Sequence, residues 1–108
     1  MFDTLSATDL ELLATYDIPS EECVRIASLL RARTNAACTA SDYCMWVTGD
    51  GDGDYDRFDN AARTLLGDEL YDAGEQTARL DGVLIACLEG KKTVTIGGIT
   101  FKDLPQQT

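Results

Sequence analysis

The stretch that decides the fold is TVTIGGITFK, residues 93–102, in which two short alternating segments flank a pair of glycines. Two glycines in this setting predict a β-hairpin with a type I′ or II′ turn, because such turns need positive φ angles. In that register Val94 pairs with Phe101 and Ile96 with Ile99, so four apolar side chains share one face. A slip of one residue would mix the two faces, which fixes the register.

An isolated two-stranded hairpin is only marginally stable in water. Its apolar face must therefore dock on another surface, where each fully buried side chain contributes about 1.5–3 kcal/mol. That surface belongs either to the chain's own helices or to a neighbouring subunit. We favour the neighbouring subunit, which would make the hairpin a device for assembly.

The spacing of apolar residues before the hairpin predicts a helix. Residues that are mostly apolar recur at alternating four- and three-residue steps, as on one helix face, at Leu66, Leu70, Ala73, Thr77, Leu80, Leu84 and Cys87. We expect a break near Gly67, one helix from Asp68 to Glu89, and Gly90 directly after its C-cap. The repeat indicates packing within the chain more than a coiled coil, because it is short and contains glycines.

Two helices are predicted nearer the N-terminus. The sequence Thr8–Glu11 fits a capping box, and the leucines that follow extend a short helix over residues 8–16. Ser20–Glu22 opens a second helix, with acidic residues at its positive end. This helix is expected to end near Ala37 or Cys38, with one apolar face formed by Cys23, Ile26, Ala27, Leu30, Thr34 and Ala37.

The segment Cys44–Val47 (CMWV) is ambiguous. It fits a helical turn capped by Ser41 or Thr39, or a short buried strand, since four residues do not distinguish the two. In either case Trp46 is predicted to anchor the core, and a partner contact is the alternative because tryptophan is enriched at interaction hot spots. Helical spacing returns from Tyr55, with one face formed by Phe58, Ala61, Ala62 and Leu65.

These elements predict a mainly α protein, a small helical bundle with a C-terminal two-stranded β-hairpin. The 108 residues are expected to form one domain, since this length is close to the usual domain size. Its predicted parts are a helical region over residues 8–89, an acidic loop within it over 49–56, the hairpin over 93–102 and a short tail over 103–108.

The loop over residues 49–56 reads GDGDGDYD, and alternating Gly and Asp is typical of a loop. It begins like a calcium-binding loop, but an EF-hand needs a glycine where Tyr55 stands and a bidentate glutamate where Ala61 stands. No metal site is therefore predicted. The loop is instead expected to be a flexible, solvent-facing acidic surface formed by Asp50, Asp52, Asp54 and Asp56.

The charge balance limits the function. Nine Lys or Arg against nineteen Asp or Glu give a net charge of −10, which repels nucleic-acid phosphates and argues against sequence-specific nucleic-acid binding. The sequence has no histidine, no phosphate-binding glycine loop and no base spaced to activate a Ser or Cys. We therefore predict a protein that is not an enzyme and needs no cofactor.

The cysteines and the termini indicate a compartment. The four cysteines form no C-x-x-C pair, so we expect buried or semi-buried thiols in a reducing cytosol, with a disulfide possible but not favoured: they are Cys23, Cys38, Cys44 and Cys87. The N-terminal MFDTLSATDL lacks the basic and apolar parts of a secretory signal. No apolar run approaches the ~20 residues of a membrane span, so no membrane association is expected.

The C-terminal sequence LEGKKTVTIGGITFKDL, residues 88–104, resembles small tailed-phage head–tail joining proteins, which place a long helix before a Gly-Gly hairpin. The resemblance covers about residues 80–104 and does not extend to the first seventy residues. The residues that carry it are Gly90-Lys91, Thr95-Ile96-Gly97-Gly98, Thr100-Phe101 and Leu104.

This resemblance implies a structural virion protein, a head–tail adaptor or connector of the phage neck. It would assemble as a homo-oligomeric ring on the portal, contact other neck or tail proteins, and occur in the virion and, during assembly, in the host cytoplasm. An acidic lumen would let DNA pass without binding. The residues predicted to contact a subunit or the portal are Val94, Ile96, Ile99 and Phe101, together with Trp46.

Two other hypotheses follow from the charge. The chain would alternatively be a small acidic inhibitor, a DNA mimic that binds a basic nucleic-acid-handling protein through its aspartates. A third hypothesis is a calcium-responsive module. Salt-sensitive binding to a basic protein distinguishes the mimic, and a rise in melting temperature on adding calcium distinguishes the module.

Overall fold

The computed structural model describes residues 5–106. These residues are mainly helical, with six helices followed by a C-terminal two-stranded antiparallel hairpin, which confirms the predicted fold class. None of the helices in this range has both the length and the apolar character needed to cross a bilayer. The elements are α1 (Ala7–Thr15), α2 (Ser20–Thr34), α3 (Ala40–Thr48), α4 (Tyr55–Leu66), α5 (Asp68–Gly74), α6 (Thr77–Leu88), β1 (Val94–Ile96) and β2 (Ile99–Phe101).

The chain divides into two compact units at Ala61 and Ala62, within α4. The first unit holds α1, α2, α3 and the first half of α4. In it, α3 packs against both α1 and α2. The second unit holds the rest of α4, α5, α6 and the hairpin, with α5 and β1 each packed against α6.

Helix α1 is capped by Ser6. The Ser6 hydroxyl accepts a hydrogen bond from the Asp9 backbone N–H at 3.1 Å, and the Asp9 carboxylate accepts from the Ser6 N–H at 3.4 Å. The predicted capping box of Thr8 and Glu11 is wrong, because both residues lie inside the helix. The same spacing of a hydroxyl and an acid occurs two residues earlier, and that earlier pair caps the helix.

Helix α2 begins at Ser20 as predicted but ends at Thr34, before the expected Ala37. Asn35 takes a left-handed φ of 59° and its N–H bonds to the Arg31 carbonyl at 3.0 Å. Asparagine tolerates this conformation better than most residues, so it serves as a helix stop. Of the predicted apolar face, Cys23, Ile26, Ala27 and Leu30 are buried, whereas Ala37 lies beyond the helix and is exposed.

Helix α3 settles the ambiguous CMWV segment, which lies within a helix capped by Thr39. Trp46 is 4% exposed, and its ring centroid lies 5.1 Å from that of Phe58. The indole N–H donates a hydrogen bond to Asp59 at 3.3 Å. The predicted core role of Trp46 is confirmed.

In the second unit, the single helix expected from Asp68 to Glu89 is wrong. The break at Gly67 occurs as predicted, but a second break at Glu75, with φ 41°, separates α5 from α6. The Leu80 side chain occupies the place where a Cβ on Gly74 would lie. The apolar repeat therefore counted residues on three helices, α4, α5 and α6, as if they shared one face.

Helix α6 ends at a glycine, as predicted. Gly90 has φ 80°, its N–H bonds to the Cys87 carbonyl at 3.0 Å, and the Lys91 N–H bonds to the Ala86 carbonyl at 3.0 Å. This pair of bonds is a Schellman motif, which satisfies carbonyls at the helix end. The chain then turns directly into the hairpin.

The hairpin has the predicted register, with Val94 opposite Phe101 and Ile96 opposite Ile99. The turn glycines, Gly97 and Gly98, have φ angles of 59° and 81°. Two positive values in succession are those of a type I′ turn, which matches the twist of the strands.

The apolar face of the hairpin lies on α6 of the same chain. Phe101 is 3% exposed, Val94 and Ile96 are half-buried, and Ile99 is 40% exposed. The Ile96 Cδ1 atom lies 2.5 Å from the place where a Cβ on Gly82 would be, so this glycine admits the isoleucine. Contact with α6 of the same chain is shown for β1, and contact of the hairpin with a neighbouring subunit stays a prediction.

Candidate functional site: an acidic segment and a hairpin tip

The first candidate site is the acidic segment, residues 49–56, in the first unit. Its four aspartates are all exposed. The part before Tyr55 is irregular, as predicted, and Asp56 lies in the first turn of α4. An acid in the first turn is favourable because the helix N-terminus carries partial positive charge.

The carboxylate of Asp42, which was not predicted from the sequence, is hydrogen-bonded to the acidic segment. Asp42 is 3% exposed. One oxygen accepts a hydrogen bond from the Asp54 N–H at 2.7 Å, and the other accepts from the Thr39 N–H at 3.1 Å. The Arg57 guanidinium lies 3.5 Å from the second oxygen. Asp42 therefore connects the N-terminus of α3 to the start of α4.

Gly53 brings the acidic segment against the backbone of α3. A Cβ at this position would overlap the Ser41 carbonyl and lie 2.5 Å from the Asp42 nitrogen. Only glycine fits such a close approach of two backbones. Backbone contact with α3 and the hydrogen bond to Asp42 hold this part of the segment, and the expected flexibility of the loop stays a prediction.

Asp54 and Arg57 form the start of α4. The Asp54 carboxylate accepts a hydrogen bond from the Arg57 backbone N–H at 3.0 Å, which is an N-cap. The Arg57 side chain is 46% exposed, lies 3.7 Å from Asp54, and donates to the Ala37 carbonyl at 3.4 Å. The Arg57 guanidinium thus lies near two carboxylates, those of Asp42 and Asp54.

An open depression of about 560 Å³ lies between the acidic segment and the start of α3. The residues that line it include Arg57 and four aspartates, Asp42, Asp52, Asp54 and Asp56. The excess of carboxylates would attract a basic side chain. Within residues 5–106, however, no three His, Cys, Asp or Glu side chains are placed to hold a metal ion. The described residues therefore provide no ligand set in support of the calcium hypothesis.

Asp50 contacts a tyrosine outside the segment. A hydrogen bond to Asp50 raises the pKa of the Tyr16 phenol, and burial and the negative charge of Asp50 act in the same direction. Loss of the phenol proton would break this hydrogen bond and place two negative charges side by side. The phenol therefore donates to the carboxylate.

The second candidate site is the hairpin tip, which we define as Gly97, Gly98 and Ile99. It lies in the second unit and is exposed. On the polar face of the strands the hydroxyls of Thr95 and Thr100 lie 3.0 Å apart. Of the predicted contact residues, Phe101 and Trp46 are buried within this chain and Val94 and Ile96 are half-buried. Ile99 is the one that remains exposed for a partner.

All four cysteines are buried thiols, as predicted. Burial raises the pKa of Cys38 to about 11, with the nearby charge of Asp42 acting in the same direction. Burial also raises the pKa of Cys44. A buried thiolate lacks the solvation that water would give it, so the protonated form is favoured.

We predict that stability falls as the pH rises from 9 to 11. In this window the unfolded chain loses the Cys38 proton, near pH 9, while the folded chain keeps it until about pH 11. The unfolded state then binds fewer protons, so rising pH favours unfolding by up to about 1.4 kcal/mol per pH unit. Urea unfolding at several pH values measures the slope. The Cys38→Ala variant should lose less stability over this range, and an unchanged slope in that variant would contradict the assignment.

No protein-family model, curated protein or solved structure matches the chain. The acidic segment belongs to the unit that ends at Ala61, and the hairpin tip to the unit that begins at Ala62. Function is therefore inferred from these two surfaces and from the charge.

Proposed function

We propose that this chain is a structural virion protein of a tailed phage, a head–tail adaptor that assembles as a ring on the portal. The observation that carries the proposal is the unit of α6 and the hairpin, in which a glycine-ended helix leads directly into a Gly-Gly hairpin that docks on it. The resemblance to head–tail joining proteins implies this same arrangement. Such a role needs no active site and no cofactor.

The contact with the ring is carried by the exposed hairpin tip. Because Phe101 is buried and Ile96 lies against Gly82 of α6, the hairpin is a supported element that presents Ile99. With 40% of its surface exposed, Ile99 would contribute about 1 kcal/mol when a partner covers it. A ring repeats this contact at every subunit, so a small contribution is multiplied.

The acidity suits a protein beside a DNA passage. A net charge of −10 and the exposed aspartates of the acidic segment repel phosphates instead of binding them. DNA would then pass such a ring without adhering. The protein would occur in virions and, before assembly, in the host cytoplasm.

Native mass spectrometry of the purified protein, alone and mixed with the portal ring encoded in the same genome, tests the proposal. We expect a complex with several copies of this chain on one portal ring, and peptides of the chain in purified virions. Absence of any complex together with absence from virions would overturn the proposal.

A charge on the hairpin tip should weaken this assembly. We predict that Ile99→Lys lowers portal binding at least tenfold, since a lysine in the contact loses the apolar burial and adds a charge that must be desolvated. Thr100→Lys is the matched control, because it places the same charge on the adjacent exposed residue of the other face. Binding measured by mass photometry should separate the two variants. Equal binding by both would show that the tip is not the contact.

A second function, a DNA mimic, is favoured by one observation. The acidic segment is held by Asp42 and Gly53, and a mimic needs carboxylates at fixed spacing. Such a protein would displace a labelled DNA duplex from a histone-like nucleoid protein, more weakly at high salt. A variant in which Asp50, Asp52, Asp54 and Asp56 are all replaced with asparagine should no longer displace the duplex. The matched control neutralises four dispersed exposed acids and should keep it: Glu11, Glu21, Glu69 and Asp72.

A further inference from the structure

The dipeptide Asp-Gly occurs three times in the chain, in three different structural settings. In this dipeptide the aspartyl side chain closes readily on the next backbone nitrogen, because glycine has no Cβ to obstruct the approach. The first two copies lie in the irregular part of the acidic segment and the third lies in α6: they are Asp50-Gly51, Asp52-Gly53 and Asp81-Gly82. One chain thus allows the effect of the fold on this chemistry to be separated from that of the sequence.

At Asp50 the two groups that would react lie together. The Gly51 backbone N–H donates a hydrogen bond to the Asp50 carboxylate at 2.9 Å. The carboxylate is therefore folded back on the nitrogen with which its Cγ atom would close a five-membered ring. The Asp50 N–H in turn donates to the Thr48 hydroxyl at 3.2 Å, which holds the backbone in place. Asp50 is exposed, so water reaches the site.

The other two sites are held in ways that oppose ring closure. Gly53 lies against the backbone of α3, with its Cβ position 2.5 Å from the Asp42 nitrogen, so it has no room to rotate toward Asp52. The Asp81-Gly82 pair lies within α6. A ring needs the aspartyl Cβ and the next nitrogen on the same side of the Cα–C bond, which the helical ψ of about −42° does not allow. Both sites must open locally before they react.

We propose that Asp50 is a site of spontaneous backbone modification, at which the link to Gly51 rearranges through a cyclic imide to isoaspartate. In the folded protein the other two Asp-Gly sites stay aspartate. The change adds a methylene group to the backbone of the acidic segment and moves one of its carboxylates. This proposal does not depend on the proposed function.

The reaction needs only water and the chain itself. The Gly51 nitrogen attacks the Cγ atom of the protonated Asp50 carboxyl group, and an N–Cγ bond forms. The carboxyl hydroxyl leaves as water, together with the proton from the nitrogen. A water molecule then opens the imide. Breaking the new N–Cγ bond restores aspartate, whereas breaking the original peptide bond leaves isoaspartate, in which the backbone runs through the former side chain.

Peptide mapping of the aged protein tests the proposal. The folded chain is incubated for weeks at physiological temperature and mildly acidic pH and digested with trypsin. Residues 34–57 then contain the two sites of the acidic segment, and residues 80–91 contain the third. Electron-transfer fragmentation distinguishes isoaspartate from aspartate at each position, and a mass lower by one water marks the imide.

We expect isoaspartate to accumulate at Asp50 at least about tenfold faster than at Asp52 or Asp81, because orientation of reacting groups changes rates by such factors. In urea that unfolds the chain, the three sites should react at similar rates. No isoaspartate at Asp50 in the folded chain, or equal rates at the three sites, would overturn the proposal. A preference for Asp50 that persisted unchanged in urea would also overturn it, since the fold would not be its cause.

Two matched variants identify the reacting side chain. Asp50→Glu keeps the charge but would have to close a six-membered ring, so it should form no modified residue at this position. Asp52→Glu makes the same change two residues later in the segment and should leave the rate at Asp50 unaltered. Loss of the modification in both variants would show that it does not depend on the contact between Asp50 and Gly51.

Discussion

Replacing Gly53 with alanine is expected to lower the free energy of unfolding by about 3 kcal/mol, the upper part of the range for overpacking. The added methyl group would overlap the Ser41 carbonyl and lie 2.5 Å from the Asp42 nitrogen. Both atoms belong to the backbone of α3, so no rotation of a side chain relieves the overlap. The acidic segment would have to move away and lose its hydrogen bond to Asp42. Urea unfolding followed by the fluorescence of Trp46 measures the loss.

Gly49→Ala is the matched control in the same segment. Gly49 has φ 74° and nothing within 4 Å of the place where its Cβ would lie. Gly49→Ala should therefore lower the free energy of unfolding by about 1 kcal/mol, which is the penalty for a left-handed conformation alone. Gly53 has no positive φ, so its cost comes from the overlap. Equal losses at the two positions would contradict the close approach of the segment to α3.

The Asp42→Ala variant is expected to lose about 3 kcal/mol of stability as well, because two N–H groups would lose their buried acceptor. These groups belong to Thr39 and Asp54, and the Arg57 guanidinium would lose a partner. Hydrogen exchange at the Asp54 amide should become faster in the variant. Urea unfolding gives the free energy and mass spectrometry gives the exchange.

Asp9→Ala provides the comparison for this second variant. Asp9 holds the same position in the capping box of α1 that Asp42 holds in α3. It is more exposed than Asp42 and bonds Ser6 in the cap and the Ser41 hydroxyl of α3 at 2.9 Å, but no residue of the acidic segment. Its loss should therefore cost about 1–2 kcal/mol. If Asp42→Ala cost no more than Asp9→Ala, Asp42 would be an ordinary cap and not the link between α3 and α4.

The hairpin was predictable because its determinants are local. Turn chemistry at Gly97-Gly98 and the alternation of four apolar residues give the register without reference to the rest of the chain. Gly90 was predictable for the same reason. The identity of the docking surface was not, because it depends on the fit of Ile96 against Gly82, which lies fourteen positions earlier in the chain.

The helix ends show where local patterns are insufficient. Ser6 with Asp9 and Thr8 with Glu11 both fit a capping box, and the leucines that follow are compatible with either. At the break between α5 and α6, Glu75 has a positive φ and the Leu80 side chain lies against Gly74. The heptad-like spacing of apolar residues gave no sign of this break.

The candidate site was predicted only in part. The aspartates of the acidic segment are visible in the sequence, but the residue that holds them is Asp42, twelve positions before Asp54. The spacing of Thr39 and Asp42 as a capping box was a readable signal for α3. Its second role, as acceptor for the Asp54 amide, becomes apparent only when the backbone of Gly53 lies against α3.

Hydrogen exchange measured on the chain alone and on its mixture with the portal ring tests the adaptor proposal and its contact surface together. If the hairpin tip is the contact, the two proteins should form a stable complex. Amide hydrogen exchange from Thr95 to Thr100 should then be slower in the complex than in the chain alone, and exchange in the acidic segment should not change. Failure to form a complex, or protection limited to residues 49–56, would contradict the proposed adaptor role.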